Sequence, residues 1–200
     1  MKIRQNVPLA PYTTLGIGGP ARYFIEARDE PTALAGLAFG RHRGLPIFVL
    51  GGGSNILVAD SGFPGLVLRV AIKGILEQDA ADKTVFTLGA GEDWDAFVCQ
   101  AVQRGLGGIE CLSGIPGTVG GTPVQNVGAY GQEVSETLVS VRAYDQTKNT
   151  VVELSKSECG FSYRQSIFNT TARDRYVALT VTYALQKNAR PELRYTDVQK

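Results

Sequence analysis

The residues whose types and spacing could do chemistry are two glycine-rich stretches, and the chemistry they offer is that of bare backbone. Residues 105–131 read GLGGIECLSGIPGTVGGTPVQNVGAYG, in which nine of twenty-seven are glycine. Glycine turns through φ > 0 and lets main-chain N–H groups approach a ligand with no Cβ in the way, so this density implies backbone wrapped around something. A flexible linker is the competing reading, but linkers are rich in Ser and polar residues. Here Ile109, Leu112, Ile115, Val119, Val124 and Val127 punctuate the glycines, as in an ordered loop. A second cluster, Gly51, Gly52, Gly53, Ser54 and Asn55, directly follows a short apolar run. The expected guest is a flat, phosphate-bearing cofactor. None of the glycine clusters has the Gly-x-Gly-x-x-Gly/Ala spacing in its strand-to-helix context, and no Gly-Lys-Ser/Thr occurs, so neither the usual dinucleotide turn nor a triphosphate loop is implied. Successive N–H groups in such turns still form nests for anions, which suit a pyrophosphate without lysine.

Composition limits the alternatives. Lys plus Arg number 20 against 19 Asp plus Glu, with no basic run interleaved with aromatics, so the footprint of a nucleic-acid binder is missing and an anionic ligand must be met locally. Cys99, Cys111 and Cys159 form an odd set without Cys-x-x-Cys spacing, and His42 is the only histidine; neither a disulfide framework nor a metal site is expected. Cys111 and Cys159 lack a basic neighbour and default to small buried hydrophobes. The N-terminal residues have no apolar h-region and no run is long enough to span a bilayer, which points to a cytoplasmic protein with no membrane partner.

The elements that must hold these loops follow from periodicity. The acidic residue Asp29, Pro31 in the first turn, an apolar face of Leu34, Leu37 and Ala38, and the closing Gly44 predict a capped helix. A buried strand over 47–50 empties into the first glycine loop, the apolar run resumes at Ile56, Leu57 and Val58, and 66–70 reads as another strand. Residues 1–70 are thus expected to form a small α/β lobe. A second lobe over 71–187 opens with a strand at 84–89 and a helix over 93–104 that places Trp94, Phe97, Val98, Ala101 and Val102 on one face, closed by Gly105. Strands at 138–144 and 150–154 flank a hairpin loop at 145–149, and 176–185 alternates with Val177, Leu179, Val181, Tyr183 and Leu185 on one face. The fold class is therefore α+β in two lobes. About 70% of the unfolded surface of a chain this long can be buried, enough for both cores.

Five ordered motifs carry a family resemblance: TTLGIGGPARYF near the start, VLGGGSNIL at 49–57, GAGEDW at 89–94, GIECLSGIPGTVGGTPVQNVGAYG at 108–131 and GFSYRQSIF at 160–168. From Tyr12 to Tyr195 the chain resembles the UDP-N-acetylenolpyruvoylglucosamine reductases (MurB) of peptidoglycan synthesis. The resemblance implies an FAD-binding fold of the vanillyl-alcohol-oxidase (PCMH) type, with non-covalent FAD in the seam between the lobes and NADPH as hydride donor. It assigns Gly51, Gly53, Ser54 and Asn55 to the pyrophosphate and adds Ile56 to the cofactor-binding residues. Ile115, Pro116, Gly117, Gly120, Gly121 and Thr122 would line the other side of the cofactor, with Gln125, Asn126, Gly128 and Tyr130 near the flavin. Covalent tethering in cousins of this fold uses histidine, and His42 lies outside both loops, at a helix end.

By the same resemblance, Arg164 is the catalytic arginine. Hydride addition to the enolpyruvyl ether of UDP-N-acetylglucosamine drives negative charge onto the carboxylate, and a permanently charged, bidentate guanidinium suits it. Tyr195 resembles a tyrosine that covers substrate or nicotinamide. The family's serine proton donor and assisting glutamate belong to a further substrate-binding domain, expected to open at 188–200, and no residue here matches either. The expectation is the FAD-binding part of a longer enzyme, inactive alone. A non-catalytic flavin module and an oxygen-using oxidase of the same fold remain as alternatives.

Overall fold

The computed structural model describes residues 1–189. Tyr195 and, from residue 190 on, the expected start of a substrate-binding domain lie outside the described residues. The described residues form two compact units, Met1–Lys73 and residues 74–189.

In the first unit β1 (Arg4–Pro8), β2 (Pro20–Ala27), β3 (Ile47–Leu50) and β4 (Phe63–Val70) make one sheet in the order β1-β2-β4-β3. β2, β4 and β3 run parallel and β1 is antiparallel to β2. Helix α1 (Glu30–His42) begins where Asp29 accepts a 2.7 Å bond from the Thr32 amide and ends at Gly44, whose φ is +61°. Its buried face corrects the expected one. Leu37 is buried as expected, but its companions are Ala33, Gly36 and Gly40, while Leu34 and Ala38 are only half-buried, because glycine lets the helix approach the sheet closely. A Cβ on Gly40 would lie 2.8 Å from Ile47, and one on Gly36 3.0 Å from Leu68. The opposite face of the sheet buries Leu9, Phe24, Leu50 and Val67. Ile56 and Val58 pack against this second layer, but residues 56–58 are not strand and Leu57 is 75% exposed, so the run that resumes after the glycine loop is a wall and not a ladder.

The second unit is built on a sheet in the order β11-β10-β12-β6-β5, made of β5 (Ile75–Asp79), β6 (Lys83–Gly89), β10 (Leu138–Asp145), β11 (Thr150–Ser155) and β12 (Tyr176–Lys187), with the short β7 (Leu106–Gly107) also on β12. Central β12 alternates as expected, and Val177, Leu179, Val181, Tyr183 and Leu185 are all buried. Helix α2 (Trp94–Gln103) starts at Asp93, which accepts a 2.8 Å bond from the Ala96 amide, and buries Trp94, Phe97, Val98 and Ala101. Val102, expected on that face, is 48% exposed. Edge strand β5 escaped the sequence reading because all five of its residues are exposed and three are polar, leaving no apolar alternation.

The β10–β11 turn is fixed by Asp145, whose carboxylate accepts from the Thr147 amide and hydroxyl and the Lys148 amide, and pairs in bidentate fashion with Arg175 at 2.6–3.1 Å. The Arg175 guanidinium, aided by these hydrogen bonds, holds the carboxyl well below the ordinary carboxylate range. Its contribution is complete above the unfolded aspartate value of about 3.9 and is lost as pH falls below it. Asp145→Asn should therefore lower the melting temperature at pH 7 and flatten the acid limb of stability, read by thermal unfolding from pH 7 to pH 3. An unaltered acid limb would show that the pair is not what links folding to protons.

Candidate cofactor site and the turn that carries Arg164

Each unit contains one glycine loop. In the first unit, residues 51–55 leave β3 at its carboxyl end, where parallel α/β sheets hold ligands. Gly53, at φ +70°, is pressed against the chain at Tyr12, and its carbonyl accepts from the Thr14 amide at 3.0 Å. Among the described residues the amides of Gly52 and Gly53 donate to no acceptor. Ser54 is half-buried and Asn55 exposed, and both make contacts within the protein. His42 is exposed at the end of α1.

In the second unit the long glycine stretch is ordered by the core beneath it. Residues 117–120 run against 90–94: Trp94 N–H donates to the Gly117 carbonyl (3.2 Å), Val119 N–H to Glu92 (2.9 Å) and Gly120 N–H to Ala90 (2.8 Å). The two neighbouring glycines have different duties. A Cβ on Gly120 would lie 2.6 Å from Ala90 Cβ, whereas one on exposed Gly121 would find nothing nearer than 4.0 Å, so Gly120 packs and Gly121 leaves the backbone open. Ile115 packs on the core, exposed Pro116 follows it, and Gly117 has φ +138°. Thr122 is buried and its hydroxyl is spent inside: it donates to the Val119 carbonyl (2.8 Å) and meets the Tyr183 hydroxyl at 2.5 Å. Burial pushes the Tyr183 phenol upward, which keeps it a neutral donor. Tyr183→Phe should cost about 1 kcal/mol, since Thr122 keeps its Val119 acceptor and no buried donor is orphaned. Chemical denaturation reads this, and an unchanged midpoint would remove the Tyr183–Thr122 bond from the supports of the loop.

Farther along, β8 (Gly128–Ala129) and β9 (Gln132–Glu133) form a hairpin whose two turn residues, Tyr130 and Gly131, both have positive φ (50° and 83°), the requirement of a type I′ turn. Tyr130 is 58% exposed there, Gly128 is half-buried, and Gln125 is half-buried with contacts of its own. Asn126, in left-handed conformation and 1% exposed, is the junction of the region. Its amide nitrogen donates to Glu133 (2.7 Å) and to the Ser162 carbonyl (3.0 Å), and its oxygen accepts from the Ser135 amide (3.1 Å).

Those bonds reach the second motif. Ser162 and Gln165 exchange backbone hydrogen bonds (3.1 and 3.0 Å) across a tight turn that carries exposed Arg164 at its tip with φ +58°. Asn169 donates to the Arg164 carbonyl at 3.2 Å and the Ser166 hydroxyl to the Val124 carbonyl at 2.6 Å. Among the described residues the Arg164 guanidinium has no carboxylate partner; it lies 6.0 Å from the Tyr163 ring centre. Asn126 and Arg164, taken from two separate motifs, are thereby brought into one hydrogen-bonded unit. Sequence reading missed Glu133, Ser162, Ser166 and Asp95, the last of which accepts from Ser113 and from the Gly114 amide at 2.6 Å. A carboxylate two residues beyond the Tyr-Gly turn was the available sign for Glu133. Cys159 is buried, and burial pushes its thiol up to about 11, so it is a hydrophobe and not a nucleophile.

Residues 21–155 match the FAD binding domain family, and the chain belongs to that family. It is, more narrowly, a homologue of the UDP-N-acetylenolpyruvoylglucosamine reductases: it is 46% identical over 199 residues to the enzyme of Thermobifida fusca and 42% identical over 201 residues to that of Pseudomonas aeruginosa. These matches take in 98% and 100% of this chain but 55% and 59% of the relatives, so the chain spans little more than half the length of the reductases it matches. The crystal structure of the Thermus caldophilus reductase superposes with a TM-score of 0.73 at 30% identity, over 94% of this chain and 64% of that one. The 6-hydroxy-D-nicotine oxidase of Arthrobacter nicotinovorans superposes with a TM-score of 0.62 at 19% identity, over 83% of this chain and 36% of that one. The fold is thus the mixed α/β FAD-binding type that reductases and vanillyl-alcohol-oxidase flavoproteins share. No helix among the described residues is long and apolar enough to cross a membrane.

Proposed function

We propose that this chain is the FAD-holding portion of a cytoplasmic reductase that converts the enolpyruvyl ether of UDP-N-acetylglucosamine to UDP-N-acetylmuramate at the expense of NADPH. The single observation that carries the reading is the joining of Asn126 to the Arg164 turn by the Ser162 carbonyl, because it draws a cofactor motif and a catalytic motif into one assembly. The residues present fit FAD. The free amides of Gly52 and Gly53 suit a diphosphate, and the open backbone at Gly121 suits the edge of a flat ring system. When bound, FAD supplies the carrier that takes hydride from NADPH and passes it to the enolpyruvyl carbon. Ser54 and Asn55 add short polar side chains to the diphosphate loop, and Ile56 backs it. Ile115, Pro116 and Gly117 shape the second loop, while the committed side chains of Thr122 and Asn126 hold its form. Arg164, exposed and free of internal carboxylates, offers its guanidinium to the substrate carboxylate, where it stabilises the charge that hydride addition creates. Tyr195 is assigned to substrate by resemblance alone.

The test is the visible spectrum of the purified chain after incubation with FAD and removal of free cofactor. Retained flavin absorption, lost on denaturation, is the expected result. A folded chain that stays colourless would overturn the assignment of both glycine loops.

A further inference from the structure

We infer that Glu133 is a positioning residue for Arg164, acting through the side chain of Asn126; this rests on the reading of Arg164 given above. Arg164 stands in left-handed backbone, which costs a non-glycine residue free energy, and its guanidinium, 6.0 Å from the ring centre of the adjacent Tyr163, has no carboxylate partner among the described residues to hold it there. The turn must therefore be held from outside, and its carbonyls are where that happens. The Ser162 carbonyl, which also accepts the Gln165 amide, accepts a second bond from Asn126. Asn126 can serve there only if its amide is prevented from flipping, since its nitrogen and oxygen are nearly the same shape. Glu133 does this. Its carboxylate takes the other N–H of the same nitrogen at 2.7 Å, while the Ser135 amide claims the oxygen at 3.1 Å. Both are at the end of the β8–β9 hairpin, Glu133 as the last residue of β9 and Ser135 in the short helix α3 (Val134–Thr137) that follows. A carboxylate accepts only, so it selects the nitrogen edge and fixes which edge faces Ser162. Bonds to a charged acceptor are also stronger than neutral ones. Both protons of the Asn126 amide nitrogen go to protein acceptors and its oxygen accepts the Ser135 amide, so this buried side chain orients the arginine turn.

The experiment is amide hydrogen exchange on the whole 200-residue chain, without cofactor, comparing the parent with Glu133→Ala, Glu133→Gln and Asn126→Asp. Exchange at Gln165 and Ser162 should rise about tenfold or more in Glu133→Ala and in Asn126→Asp, where two carboxylates would face each other. Protection in β10 and β12 should be unchanged, and Glu133→Gln, which can still accept through its amide oxygen, should restore most of the loss. The Arg164 Nε resonance of labelled protein should shift in Glu133→Ala and return in Glu133→Gln. A merely structural Glu133 would raise exchange across β10 and β12 alike, and that result, or no response at Gln165, would overturn the inference. FAD retention is read separately on the same samples. A turn-selective response in a chain that holds no flavin sinks the flavin reading and leaves the tether; flavin retained with no response at Gln165 does the reverse.

Discussion

Gly53→Ala should leave a chain that is markedly less stable and retains no FAD. The Cβ it adds would lie 1.9 Å from the Tyr12 carbonyl oxygen and 2.9 Å from its carbon, both backbone atoms that no rotamer change can move aside. The residue also sits at φ +70°, where alanine is strained by about 1–2 kcal/mol. Overpacking adds roughly 1–3 kcal/mol, so the total is about 2–5 kcal/mol, a large part of the stability of an ordinary domain. In thermal unfolding this is a drop of roughly 5–15 °C for a chain of this size. Because the obstacle is backbone, the loop itself must shift to relieve the clash, and the amides of Gly52 and Gly53 shift with it. Gly44→Ala is the internal comparison: its φ is +61° but nothing lies within 4 Å of the new Cβ, so it carries the conformational cost alone and should keep FAD. If Gly53→Ala melted and bound like Gly44→Ala, the close approach of Tyr12 would have no bearing on the site.

How far this site could be read from sequence depends on what each residue's type reveals. The glycines were legible because composition alone states that backbone must do something unusual there, and residues 51–53 and 117 are bends while Val119–Gly121 is a short 3-10 helix. The start of the first helix and the ends of both were legible for the same local reason: Asp29 announces an amide three residues on, and Gly44 and Gly105 a left-handed exit, whereas Asp93, placed inside the second helix by its sequence, is its cap. The second glycine duty, that of close packing, was not. Gly36 and Gly40 look like interruptions of an apolar helix until Leu68 is known to lie beneath the first and Ile47 and Leu66 beneath the second, and only tertiary structure brings those together. Likewise Asn126 reads as a turn residue near a ligand, while its partners at 133, 135 and 162 come from a hairpin, a helix start and a distant turn. Exposed β5 had no pattern to read, since an edge strand of polar residues declares itself only through the ladder of β6.

The loop of the second unit also rests on one side chain whose removal should be severe. Trp94 is 1% exposed, sits 5.6 Å from the Tyr183 ring and 6.0 Å from Phe97, and donates its indole N–H to the Leu112 carbonyl at 3.2 Å. Its backbone amide meets Gly117, so the same residue supports the glycine stretch at two points, 112 and 117. Trp94→Ala should cost about 3–5 kcal/mol through the cavity and lost contacts, enough to unfold much of the population near physiological temperature. Trp94→Phe separates packing from tethering. The smaller ring fills most of the space, but the Leu112 carbonyl, on a buried residue, loses its donor; that loss should cost about 1–3 kcal/mol, plus a smaller packing term. Its effect should be local: faster hydrogen exchange at Leu112 and Ser113, whose amides close the 3-10 turn at 110–112, and weaker FAD retention, with exchange along β12 little changed. Uniform acceleration across β12 would mean that Trp94 serves the core alone and that the glycine stretch takes its order from elsewhere, from Thr122 and Tyr183 in the first place.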